Sequence, residues 1–258
     1  MLRVENLHFE YDSGVPVLKD ISFKVKAGEL CGLFGPNGCG KTTLFKCCLN
    51  FLKFSKGEVL LDGSNLNEIS IAEMAKIASY VPQEHKPAFT YLVRDVVLMG
   101  RTPYIQDSFR ISNEHKKRAL EALDLVGILD LAEKPYNHLS GGQRQLVLIA
   151  RAVAQSTKLM FLDEPTSALD FSNQIKVWNI LRKISKEGTT IIACTHDPNH
   201  VMWFCDKVVV MNNHDILVEG NPKDVITEDL LDKIYKNICR VENINGFKMI
   251  YPKDLIND

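Results

Sequence analysis

Short apolar runs alternate with longer stretches of helical spacing along this chain. The runs are Leu30–Phe34, Val59–Leu61, Ile77–Val81, Leu159–Leu162, Thr190–Cys194 and Lys207–Met211. Runs of this length, apolar at nearly every position, suit strands of a parallel sheet covered on both faces. Helices between them predict an α/β fold. From about Glu84 to Leu139 the strand pattern stops. Val93–Met99 predicts a short helix there. Asn113–Val126 predicts a longer one, with Ala119, Leu120, Leu123 and Val126 at helical spacing. Ser112 stands where it can cap this helix, and Gly127 where it can end it in a left-handed conformation. The pattern therefore predicts a small helical subdomain inserted into an α/β core. Phe247–Tyr251 predicts a terminal strand in a tail too small to form a domain of its own.

Composition narrows the classes. The 258 residues are enough for one or two domains with a large core. Hydrophobic residues at 45% and charged residues at 24% exclude disorder and disulfide miniproteins. Lys and Arg number 31 against 32 Asp and Glu, a net charge of −1. That balance argues against nucleic acid as a partner. The longest apolar run, Leu146–Ala154, is broken by Arg151 and falls short of the roughly 18 residues that span a bilayer. Met1–Glu10 carries charges and no signal-peptide core, so a cytosolic location is expected. The seven cysteines form no C-x-x-C pair, and most stand beside apolar residues, so buried reduced thiols are expected.

Three segments carry candidate chemistry. Gly35-Pro36-Asn37-Gly38-Cys39-Gly40-Lys41-Thr42-Thr43 satisfies G-x-x-x-x-G-K-[ST], between an apolar strand and the helical run Lys41–Asn50. Glycines let the backbone curl until its N–H groups converge on phosphate oxygens, and the helix N-terminus adds a partial positive charge. Lys41 can reach β and γ phosphates, and the Thr42 hydroxyl can ligate Mg²⁺. The run Leu159–Leu162 ends in Asp163 and Glu164. Ligands sit at strand ends in open α/β sheets. Asp163 there can hold Mg²⁺ through its water shell, and Glu164 can polarise an attacking water. Alone, the pair also fits an acidic turn. Leu139-Ser140-Gly141-Gly142-Gln143 opens a helix running to about Ala154 and offers a second anion-binding N-terminus, or simply a loop and cap.

Gly35–Thr43, Leu139–Gln143 and Leu159–Glu164, in that order, resemble the nucleotide-binding subunit of ABC transporters over almost the whole chain. The resemblance implies a P-loop NTPase (RecA-like) core at 1–83 and 142–241 with an antiparallel β edge. It places the helical subdomain and signature motif at 84–141, and a short C-terminal extension at 242–258. ATP and Mg²⁺ are the implied ligands. Tyr11 looks like the aromatic that stacks on adenine. Gln83 looks like the glutamine that senses Mg²⁺, and His196 like the histidine that contacts the γ-phosphate. Ser167-Ala168-Leu169-Asp170 looks like the loop crossing a dimer interface. Taken singly, Tyr11 also fits edge-strand packing, Asp170 a helix cap and His196 a helix start. The resemblance further implies a homodimer with each ATP between Gly35–Thr43 of one copy and Ser140–Gln143 of the other. Two integral-membrane permease subunits, an extracytoplasmic binding protein and a place at the cytoplasmic membrane face complete the implied assembly.

Met99-Gly100-Arg101-Thr102-Pro103-Tyr104 and Gln143–Arg151 look most like the importer branch for iron–siderophore complexes, haem or cobalamin. The alternatives are a zinc or manganese importer and a soluble non-transport ATPase, for example in iron–sulfur cluster assembly. Two departures stand out. Cys39 replaces the usual Ser, and beside a helix N-terminus and Lys41 its thiol pKa is open to lowering; the alternative is a small filler. Asp197-Pro198-Asn199 replaces the usual Asp-Leu-Asn after His196, which a helix's first turn accepts.

Overall fold

The structure, a computed structural model, describes residues 1–12, 14–83, 90–105 and 111–253, with the backbone alone at Phe247. Parts of the expected helical subdomain, 84–89 and 106–110, and the tail end, 254–258, lie outside the described residues. The chain opens with β1 (Leu2–Glu10) and β2 (Pro16–Val25), then β3 (Leu30–Phe34), α1 (Lys41–Cys48), β4 (Lys56–Leu61) and β5 (Ser64–Asn65). Strands β2-β1-β4-β5 form an antiparallel sheet. Val59 and Leu61 therefore belong to this sheet and not to the parallel one that their apolar run suggested. Only alternate positions of β4 face inward, and Lys56, Gly57 and Glu58 before them are not buried. That is the one-sided pattern of an antiparallel sheet.

The second sheet holds six strands. After α2 (Ile71–Ile77) come β6 (Ala78–Val81), α3 (Val93–Leu98), α4 (Asn113–Val126), α5 (Gly141–Ala154) and β7 (Leu159–Leu162). Then follow α6 (Phe171–Lys186), β8 (Thr190–Thr195), α7 (Pro198–Phe204), β9 (Lys207–Asn212) and β10 (Asp215–Gly220). The order is β10-β9-β3-β8-β7-β6, parallel from β9 to β6 and antiparallel at β10. Both faces are covered. On β7, Leu159 and Phe161 pack with α1 and the antiparallel sheet, while Met160 and Leu162 pack with α3, α4, α5 and α6. Ile192 and Cys194 repeat the first choice on β8, and Ile191 and Ala193 the second. This period-two division is why the strands read as continuously apolar. The chain ends with α8 (Pro222–Val225), α9 (Glu228–Tyr235) and the hairpin of β11 (Cys239–Ile244) and β12 (Phe247–Pro252).

Capping residues set the helices where the sequence placed them. Ser112 accepts the His115 N–H at the start of α4, and Gly127 ends it at φ 74°. The segment Met99–Tyr104 continues α3 as a 3₁₀ turn and is pressed against the end of α5. A Cβ at Gly100 would overlap the Arg151 carbonyl oxygen. Arg101 is buried and donates to the Ala154 carbonyl at 2.6 Å and the Ser156 hydroxyl at 3.1 Å. Its guanidinium lies 4.2 Å from the Tyr104 ring centroid. A cation at the C-terminal end of α5 satisfies orphan carbonyls and the helix dipole together. Among the described residues, no helix is long and apolar enough to cross a membrane.

Candidate active site

The Gly35–Thr43 loop leaves the end of β3 and turns into α1. Gly40 takes φ 105° before the helix, and Gly38 φ 81°, conformations that L side chains rarely adopt. Lys41 is 5% exposed, and its Nζ donates to the carbonyls of Gly35 at 2.8 Å and Pro36 at 3.0 Å. A cleft of about 370 Å³ opens over this loop. Val17, Asn37, Lys41, Thr43, Gln83 and Glu164 are among its walls. Tyr11 stands beside the loop at the end of β1. Its hydroxyl is 3.4 Å from Thr43 Oγ1, its ring meets Phe9 edge-on, and it is 45% exposed, so a face remains free for a stacking partner.

Glu164 is where the predicted residues meet. Its Oε1 lies 3.6 Å from Lys41 Nζ, and its Oε2 lies 3.3 Å from His196 Nδ1 and 3.4 Å from Gln83 Nε2. Three residues from three sequence-distant segments thus share one carboxylate. Glu164 itself holds φ 46°, a strained setting for a non-glycine residue and one that clusters at active sites. Asp163 just before it is 2% exposed. Burial pushes its carboxyl pKa up, against hydrogen bonds from Thr42 and Tyr80 that pull it down. The Tyr80 hydroxyl donates to Asp163 Oδ2 at 3.3 Å, while Oδ1 is buried with no hydrogen-bond partner among the described residues. A buried carboxylate with a spare oxygen beside a threonine hydroxyl fits a hydrated Mg²⁺.

Ser140–Gln143 stands apart from this group. Ser140 and Gln143 form a reciprocal capping box, with Gln143 N–H to Ser140 Oγ at 3.3 Å and Ser140 N–H to Gln143 Oε1 at 3.1 Å. Among the described residues, no hydrogen bond or ion pair joins Ser140–Gln143 to Gly35–Thr43. A second hollow of about 240 Å³, walled by Gly141, Arg144, Ser167 and Leu169, shares Gln83 and Glu164 with the first. Asp170 caps α6 through the Asn173 N–H at 2.9 Å, and the bonds from Asn173 hold its pKa down. Asp197 and Pro198 open α7 behind His196.

Cys39 departs from the activated-thiol expectation. The residue is 4% exposed, and burial raises its pKa above the ordinary thiol value, outweighing the lowering by Lys41. It is a small filler packed under the loop against Gly35. All seven cysteines are free, with Cys205 and Cys239 only part-buried. Two residues of the site were missed from sequence. Tyr80 was inside a predicted strand, and its position three before Gln83 was the available signal. Val17 lines the cleft over the Gly35–Thr43 loop from β2, with no chemical signal of its own.

A Gly-rich loop at a strand-to-helix turn, a buried lysine and paired carboxylates after β7, which β8 separates from β3 in the same sheet, define a P-loop ATPase. The family model described as ABC transporter matches residues 18–167, more than half of the chain, and the chain belongs to that family as an ATP-binding component. An iron(3+)-hydroxamate import ATP-binding protein of Bacillus subtilis is 34% identical over 236 residues, covering 91% of this chain and 87% of its own. An energy-coupling factor transporter ATP-binding protein of Methanocaldococcus jannaschii is 39% identical over 260 residues, covering 99% and 91%. Among solved structures, an inward-facing putative metal-chelate type ABC transporter superposes with TM-score 0.85 at 31% identity, covering 99% of both chains. A dimeric ATP-binding cassette in a post-hydrolysis state, bound to ADP and Pi, superposes with TM-score 0.75 at 29% identity, covering 86% of this chain and 99% of its own.

Proposed function

We propose that this ATPase works as a head-to-tail homodimer, with ATP between Gly35–Thr43 of one copy and Ser140–Gln143 of the other. The observation that carries the reading is the convergence of Lys41, Gln83 and His196 on Glu164 while Ser140 stays outside the same cleft. A phosphate site built on one side only needs a second surface to close it. Tyr11 stacks on the adenine base. The N–H groups of the Gly35–Thr43 loop hold the phosphates, with Lys41 at the β and γ positions. Thr42, Asp163 and Gln83 would hold Mg²⁺, and the bound ion would supply neutralisation of phosphate charge. Glu164 orients the attacking water and accepts its proton, and His196 contacts the γ-phosphate. Catalysis is positioning plus charge stabilisation. Asp170 lies in the loop that crosses between copies.

In this reading residues 84–141 form the helical subdomain, 1–83 and 142–241 the core, and 242–258 the extension. Closure of the dimer moves the helical subdomains against two permease subunits at the cytoplasmic face of the membrane. The cargo class is an iron complex, siderophore or haem, or cobalamin, delivered by an extracytoplasmic binding protein. The hydroxamate importer relative and the metal-chelate type structure support this class. The second reading is an energy-coupling factor transporter, favoured by the 39% identity to such an ATPase. The test is capture of the tagged protein from detergent-solubilised native membranes, read by mass spectrometry. A permease with many membrane spans is expected. Its binding protein is then screened against iron complexes, haem, cobalamin and divalent metals, and the first three are the expected ligands. A divalent-metal cargo moves the assignment to a zinc or manganese importer, and soluble partners alone overturn transport.

A further inference from the structure

The C-terminal unit grips the His196 loop at two points. Tyr235, the last residue of α9, donates its hydroxyl to the His196 carbonyl at 3.0 Å. Burial pushes this phenol up to about 12, so it remains a donor through the working pH range. Its ring sits edge-on to Phe34 at the end of β3, with centroids 6.3 Å apart. Three residues past His196, the Asn199 side chain pairs with both backbone groups of Ile250 on β12. Its Oδ1 accepts the Ile250 N–H at 2.9 Å, and its Nδ2 donates to the Ile250 carbonyl at 3.1 Å.

The grip is itself braced. Lys253 pairs with Glu228 at 3.2 Å and Asp232 at 3.4 Å on α9, and its N–H donates to the Ile238 carbonyl at 2.9 Å. Lys236 and Asn237 after Tyr235 are both left-handed, φ 58° and 66°, and turn the chain back into β11. Between the two anchors lies a cleft of about 700 Å³, walled by Pro36, Asn37, His196, Tyr235, Cys239 and Tyr251. The imidazole of His196 is 49% exposed and meets Glu164 Oε2 at 3.3 Å, so its aim is set by that contact and by the placement of its backbone.

We infer that Tyr235 is a positioning residue for hydrolysis, holding the His196 peptide so that the imidazole meets the γ-phosphate, with Asn199 steadying the same loop from β12. The inference rests on the proposed role of His196. Reaction rates are steep in the placement of such groups, and this peptide is held at its carbonyl by Tyr235 and at the Asp197 N–H by Thr195 Oγ1, at 3.1 Å.

The test is a cycle of Tyr235→Phe, His196→Ala and the double variant in the full chain, with steady-state ATP hydrolysis, KM and Tm measured for each. Tyr235→Phe keeps the ring against Phe34 and removes only the donor. The expected result is a kcat lower by about three- to tenfold with KM within about twofold of the parent, the scale of one lost neutral hydrogen bond. The double variant should match His196→Ala alone. Asn199→Ala should lower kcat in the same direction. Parent-like kcat in Tyr235→Phe beside a depleted His196→Ala overturns the inference. So does an equal further loss in the double variant, or a loss accompanied by raised KM and lowered Tm. A fully active His196→Ala overturns instead the proposed role of His196 on which the inference stands.

Discussion

Asp163 and Cys39 show how burial sets chemistry at single positions. The ionised Asp163 carboxylate pays for its burial in the empty protein, and its raised pKa records that cost. The sign follows directly. A folded-state pKa above the unfolded value means the charged form is disfavoured in the fold, so the cost is absent at low pH. It grows as pH rises above the unfolded carboxylate value of about 3.9 and is fully present above the raised folded-state value. Asp163→Asn should therefore raise the nucleotide-free Tm by a few degrees at pH 7, and by less near pH 4, while ATP turnover is lost. An unchanged or lower Tm at pH 7 contradicts this account of the site. Cys39, buried and raised, should react slowly with maleimide at pH 7, behind the part-buried Cys239, and ATP should not alter that order. Mass mapping that finds Cys39 modified first and protected by ATP restores the activated thiol.

Caps and close approaches decide where the elements stop and meet. Ser112 and Gly127 were readable in advance because capping needs particular side chains at particular offsets, whereas Ser140–Gln143 was read as an anion-binding N-terminus or a loop and cap, without its reciprocal box. The strands β3 and β7 were readable to the residue because both of their faces are covered. β1 and β2 were not read from their pattern, since their buried positions are interrupted by bulges that shift the register. Val59–Leu61 was assigned to the wrong sheet because three apolar residues carry no information about their partner strand. The Met99–Tyr104 motif was read as a mark of the importer branch, and the structure gives it a mechanical task. Gly100 admits the Arg151 carbonyl, and Arg101 ties the α3 region to the end of α5. Gly100→Ala should lower Tm by several degrees, since a Cβ meets backbone and not a flexible side-chain tip. Gly141→Ala, where a Cβ meets nothing within 4 Å, is the control and should leave Tm nearly unchanged. Equal shifts in the two variants contradict the joint.

At the scale of the whole molecule, the fold explains why so much of the site was legible. The Gly35–Thr43 loop, the Asp163–Glu164 pair and His196 follow β3, β7 and β8, which are neighbours in one parallel sheet. Motifs scattered over more than 150 residues therefore reach one carboxylate, and sequence order was enough to expect it. Tyr235 and Asn199 were not legible, because their bonds run to backbone atoms and depend on where the tail folds back. Ser140–Gln143 is the part that the single chain leaves outside, and the central claim is that a second copy brings it in. Glu164→Gln tests this most directly, by size-exclusion chromatography with light scattering in Mg-ATP. The account predicts a species of twice the monomer mass that forms only with ATP, with turnover reduced by about 10²- to 10⁴-fold. A variant that stays monomeric in Mg-ATP and still turns over at the parent rate would contradict it.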